Sequence, residues 1–146
     1  MPPPSPTQAD MARGRTRWLV AARIFLALVF VAGASYKGLM TLRAPATELQ
    51  RLIALSPVSA YGELASRLAM PHPTFFVLLT LLFEVGVAFS VLLALPARRA
   101  GYGAALPFFI VLAPLIGWFG LTNLTWAVPT LVLLRYDVSP RVERAG

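Results

Sequence analysis

The stretch PTFFVLLTLLFEVGVAFSVLLAL, from Pro73 to Leu95, decides how the rest of the chain is read. It holds a single charged residue, Glu84, and as a helix it is long enough to cross the roughly 30 Å hydrocarbon core of a bilayer with some tilt. The whole chain has 146 residues, 58% of them hydrophobic and only 13% charged. A soluble domain carries about a quarter charged residues, so this much apolar side chain points to lipid. One domain is expected at this length, because a second would need a core of its own.

Working outward, three more segments have the character of spans. Upstream, Arg13, Arg15 and Arg17 precede an apolar run from Trp18 to Tyr36, broken only by Arg23. Downstream, Pro96, Arg98 and Arg99 read as a tight basic turn, after which the chain is apolar to Leu134 with a break near Gly117 and Gly120. That distance exceeds one crossing, so it divides into helices over about 100–117 and 119–134, with Pro107, Pro114 and Pro129 inside them as expected kinks. The fold class is therefore all-α, an integral membrane four-helix bundle with spans at about 18–36, 73–95, 100–117 and 119–134.

The remaining segments are tails and one connection. Pro2, Pro3, Pro4 and Pro6 lead to a disordered tail over 1–17, Pro-rich and then basic, and 137–146 reads as a second tail. Between the first two spans, Leu49, Leu52, Ile53 and Ser56, then Tyr61, Leu64, Ala65 and Leu68, recur at helical spacing among Glu48, Arg51, Glu63 and Arg67. Two short amphipathic helices lying along the interface are expected there.

Orientation follows from the basic residues near the span ends. Arg13, Arg15, Arg17, Arg98, Arg99, Arg135, Arg141 and Arg144 share one side, against Lys37, Arg43, Arg51 and Arg67 on the other. The bias places both termini in the cytoplasm of a multi-pass protein of the cell (inner) membrane. A basic start, an apolar run and Ala32-Gly33-Ala34 also match a cleavable secretory signal, but Arg23 and the length of the run favour a retained anchor.

Composition excludes several chemistries. The net charge of +7 is spread around apolar runs in the positive-inside manner, so nucleic acid is not an expected partner. With no cysteine, the chain has no disulfide, thiolate metal site, iron–sulfur cluster or dithiol reductase chemistry. The lone His72, between Pro71 and Pro73, reads as an exposed turn residue and cannot supply both ligands of a bis-histidine haem. No metal-ligand spacing, nucleotide loop or nucleophile constellation is present, and Gly101-Tyr102-Gly103 lacks the strand a dinucleotide loop requires.

The residues most in need of explanation are the charges inside the apolar runs. An unpaired charge at mid-bilayer costs at least about 2.5–3.5 kcal/mol on insertion scales, so Arg23 and Glu84 each call for a partner. Counted from their span ends, Arg23 lies about 8 Å deep and Glu84 about 17 Å deep from the same side, a gap much of which a long arginine side chain closes. Lys37 lies on the stripe of Arg23, while Asn123, Trp126 and Thr130 share a face of the last helix. Arg23, Lys37, Glu84, Asn123 and Thr130 are thus the candidates for one intramembrane polar site, with Arg98, Arg99 and Asp137 as charges on the cytoplasmic side. The alternative is structural: an ion pair that fixes packing, with Asn123 and Thr130 as interhelical hydrogen-bonding groups and Gly33, Ala34 and Gly38 as a close-packing surface.

Read together, Arg23-Ile24-Phe25-Leu26-Ala27-Leu28-Val29-Phe30 followed by Gly33 and Lys37 resembles the first helix of DoxX-type membrane proteins. Phe83-Glu84-Val85-Gly86, with Arg98 or Arg99 at the following turn, is similar to that family's mid-membrane glutamate segment, and Arg135-Tyr136-Asp137 to its closing basic-to-Asp signature. The methylamine-utilisation MauE-type proteins are a neighbouring likeness. The resemblance implies four membrane helices and, in some members, a subunit of a thiosulfate:quinone oxidoreductase. The positions it singles out are Arg23, Lys37, Glu84, Arg98 and Asp137.

The expected function is accordingly that of an accessory, non-catalytic subunit of a quinone-linked membrane redox system. Quinone is the cofactor in view, and the bilayer, a redox protein and further copies of this chain are the partners. A membrane scaffold or assembly partner without redox role is the second reading, and a small transporter or proton pathway the third.

Overall fold

Proline punctuates this chain at helix starts, where its missing N–H costs nothing and its fixed φ suits the first turn. In the computed structural model, which describes residues 6–113 and 118–136, the fold is all-helical, with six α-helices and no strand among the described residues. In chain order α1 is Pro6–Leu39, α2 Pro45–Ala54, α3 Ser59–Ala69, α4 Pro73–Leu92, α5 Leu95–Leu112 and α6 Trp118–Tyr136, with a 3-10 turn at Thr41–Arg43 before α2. Pro6 and Pro45 open their helices and Pro73 and Pro96 stand in first turns, while Pro107 and Pro129 lie inside α5 and α6.

Two boundaries correct the sequence reading. Residues 6–17, expected to be disordered, form the first third of α1. The prolines stop at Pro6, and Gln8, Ala9, Met11, Ala12 and Arg13 are good helix formers. The basic turn expected at Pro96, Arg98 and Arg99 is the first turn of α5 instead, and the chain reverses at Leu93 and Ala94. Arg98 makes the reversal tight: its Nε and Nη2 donate to the carbonyl of Leu93 at 3.2 and 2.9 Å, serving a carbonyl at the end of α4. The third helix therefore runs from Leu95 to Leu112 rather than 100–117, and the second ends at Leu92. Pro114, Gly117 and Asp137 lie outside the described residues.

The two amphipathic helices expected between the first spans are α2 and α3. By length and composition, α1 and α4 are the two described helices able to cross a membrane. The apolar stretch of each is only 28% buried inside the molecule, unlike the core helix of a soluble protein. Within α5, Arg98 and Arg99 take up the first turns, and α6 carries Thr122, Asn123, Thr125 and Thr130, so both are less apolar over their length.

The core is a column between α1, α4, α5 and α6. Leu26, Ala27 and Phe30 meet Val87, Ala88 and Val91, then Tyr102, Ala105 and Phe109, then Leu133. Aromatic rings bind the layers: Phe30 and Phe109 centroids are 5.2 Å apart, Phe83 and Phe108 4.7 Å, and Phe25 and Trp126 5.4 Å. Helices α4 and α5 pack tightly at Gly101, where a Cβ would lie 2.9 Å from Ser90 Cβ and 3.2 Å from the Val91 backbone nitrogen. At the other side of the bundle, Arg15 stands over the Tyr136 ring at 5.5 Å, so the start of α1 and the end of α6 lie at one end of the molecule.

Candidate functional site

Lys37 stands in the last turn of α1, where a cation complements the carbonyl end of the helix dipole. Its Nζ lies 2.7 Å from Oε1 of Glu84, midway along α4. The side chains are 24% and 6% exposed, so the carboxylate is sealed while the ammonium keeps one open side. What admits the carboxylate is Gly33, one turn before Lys37: a Cβ there would sit 2.9 Å from Oε1 and 3.2 Å from Cδ. Glu84 thus fills the notch that a missing side chain leaves in α1. Its second oxygen, Oε2, is buried and accepts no hydrogen bond among the described residues.

The partner expected for Glu84 from the sequence was Arg23, and the structure replaces it with Lys37. Arg23 lies ten residues before Gly33 on the same helix, about 15 Å along its axis, beyond the reach of its side chain. Half-buried, it forms no hydrogen bond or ion pair among the described residues. Depths counted from the span ends misplaced the pair, because the last turns of α1 meet the middle of α4 rather than its start, so the two helix ends are not level.

Asn123 and Thr130 do not join the pair. Thr130 is fully buried, and its hydroxyl donates to the Trp126 carbonyl of its own helix at 2.8 Å, the usual way a buried threonine satisfies itself. Asn123 is half-buried near the start of α6 and makes no hydrogen bond among the described residues. Of the five candidates, then, the fold brings two together.

Beside the pair opens a cavity of about 520 Å³, a size typical of small-molecule pockets. It lies between the α2–α3 hairpin and the bundle, with walls from Leu52, Ile53, Leu64, Phe76, Val77 and Val111. Lys37 is the one charged residue lining it, with Tyr36, Thr41, Tyr61 and Thr80 as the polar others. Thr80 spends its hydroxyl on Phe76 and Val77 carbonyls of α4. Tyr61 of α3 donates to the Val111 carbonyl of α5 at 2.5 Å, tying the hairpin across the cavity. Val111 is in the last turn of α5, where carbonyls lack intrahelical donors.

Sequence reasoning missed Tyr61 and Thr41 as site residues, since nothing in a local pattern marks a tyrosine that reaches 50 residues along the chain. A signal for Lys37 was present: it is the basic residue nearest the Gly33 notch. His72 is exposed between α3 and α4, as expected. No protein-family model matches the chain, and no curated protein or solved structure is detectably similar to it.

Proposed function

We propose that this chain is a multi-pass protein of the inner membrane in which α1, α4, α5 and α6 all cross the bilayer as a four-helix bundle. Both termini face the cytoplasm and the α2–α3 hairpin lies along the opposite interface. Its role is that of a DoxX-like accessory subunit in a quinone-linked redox system, with no chemistry of its own. The observation that carries the membrane reading is an inverted distribution of polarity. Glu84 and Thr130 are buried at 5% and 0% exposure, while Phe75, Leu82, Phe89 and Val128 are 61–65% exposed. In water each such large side chain forgoes about 1.5–3 kcal/mol of burial, whereas in hydrocarbon the same surface is at home.

The redox role rests on the sequence resemblance together with an ionisable pair kept inside the bundle, where charge is expensive and hence a functional suspect. Its test is Glu84→Gln in cells: quinone-linked respiration should fall while the amount of protein in the membrane stays constant. Equal activity at equal abundance would overturn it.

A scaffold role is the second reading, favoured by the seating of Glu84 against Gly33. If the pair only clamps α1 to α4, Glu84→Gln lowers abundance rather than activity.

A further inference from the structure

We infer that the α2–α3 hairpin is a hinged lid over the Lys37 cavity, latched shut by the hydrogen bond from Tyr61 to the Val111 carbonyl. The inference is independent of the redox role and of the number of spans.

The hairpin is built to move as one piece. Its two helices close on each other at the buried Gly62, where a Cβ would lie 3.4 Å from the Ile53 carbonyl oxygen and from Ser56 Cβ. At each end it meets its neighbouring element through a non-helical residue without a side-chain cap. These are Ala44 (φ −145°, ψ 65°) before α2 and His72 (φ −139°, ψ 63°) between α3 and α4. Each stands before a proline, which disfavours the helical region there and interrupts the helix path. A few such residues at element ends serve as the hinges of a lid.

Its seat on the bundle is light. Among the described residues α2 packs on α4, whereas α3 packs chiefly on α2 rather than on α1, α4, α5 or α6. Leu64 and Leu68 of α3 line the cavity yet remain 53% and 57% exposed, so lifting α3 gives up little buried surface. A single hydrogen bond among the described residues, from Tyr61 Oη to the Val111 carbonyl at 2.5 Å, ties α3 to α5. It lies at the exposed surface, where both partners find new hydrogen bonds once parted. A net bond of that kind biases a local equilibrium by only about fivefold, which makes it a releasable latch rather than a fixed joint. Beneath the hairpin, Val77 and Thr41 face the cavity and are sealed, at 2% and 4% exposure.

The test uses the full chain in detergent micelles and exploits its lack of cysteine. Val77→Cys places a thiol under the lid, Phe89→Cys one on the outer surface and Val91→Cys one in the core away from the cavity, at sites 2%, 64% and 0% exposed. Alkylation by N-ethylmaleimide, read by mass spectrometry, should be slower at position 77 than at 89 by about tenfold or more. Adding Tyr61→Phe, which keeps the ring and removes only the latch, should speed alkylation at 77 about fivefold and leave position 91 unchanged. Should Val77→Cys express poorly, Thr41→Cys reports from the same cavity.

Equal rates at 77 and 89 would show that nothing covers the cavity, and a rate at 77 indifferent to Tyr61→Phe would show that the bond is no latch. Equal acceleration at 77 and 91 would show a general loosening of the fold. Each of these results overturns the inference.

Discussion

The Nζ of Lys37 lies 2.7 Å from Oε1 of Glu84, 47 residues further along the chain and across the α1–α4 interface. This contact joins the end of the first helix to the middle of the fourth and sits at the inner edge of the cavity. It is the point at which packing and function of this molecule are hardest to separate.

Removing one half of the pair leaves the other charge buried and alone, at a cost of about 3 kcal/mol given that Lys37 is partly exposed. Lys37→Met should therefore lower thermal stability in detergent markedly, and Lys37→Met with Glu84→Gln should recover most of the loss. A double variant as unstable as the single would contradict the pairing.

Gly33→Ala is expected to destabilise by about 1–3 kcal/mol, since its Cβ would fall 2.9 Å from the Glu84 carboxylate. Gly38→Ala meets only Leu81 Cδ1, at an ordinary 3.6 Å, and should be close to neutral. Thermal melts of the two variants side by side measure the difference.

The same contrast holds on α5. Gly101→Ala clashes with Ser90 and Val91, whereas Gly103 has open space around it and lies in a helix interior. Gly103→Ala should be neutral or stabilising by up to about 1 kcal/mol. Equal melting temperatures for the two would refute the close crossing of α4 and α5.

Arg23 makes no ion pair among the described residues, so Arg23→Leu should leave thermal stability within about 0.5 kcal/mol of the parent. A loss as large as that of Lys37→Met would show that the two arginine and lysine roles have been exchanged.

Topology is open to direct labelling because the chain has no cysteine of its own. Single cysteines at the exposed positions Met11 and Ala94 should react with a membrane-impermeant maleimide only from the cytoplasmic side, and one at Ser59 only from the opposite side. Labelling of Met11 and Ser59 from one face would dismantle the four-span arrangement.

Much of the architecture was legible residue by residue. The run around Glu84 and the run after Trp18 announced α4 and α1, because each is long, apolar and broken by only one charged residue, which suits a helix. The spacing of Leu49, Leu52 and Ile53, then Leu64 and Leu68, announced α2 and α3, because amphipathic periodicity is a local property. Helix ends were less legible. Pro96 looked like a turn and proved a helix start, since proline suits both and only the reversal at Leu93 and Ala94 decides between them.

The site divided along similar lines. Glu84 was marked by its isolation in an apolar run and Lys37 stood among the candidates, yet the pairing of Glu84 with Lys37 rather than Arg23 was not legible, because the axial offset of two helices is written in neither of them.

By itself, then, the sequence determined that the chain is helical, which segments are apolar and which single acidic group they carry, because each follows from the chemistry of adjacent residues. Tertiary structure alone decided that Lys37 and not Arg23 meets Glu84, that Gly33 makes the notch, and that Tyr61 ties a hairpin over a cavity. Those facts depend on how far one helix slides along another, and that distance is settled by the packing of side chains from both at once.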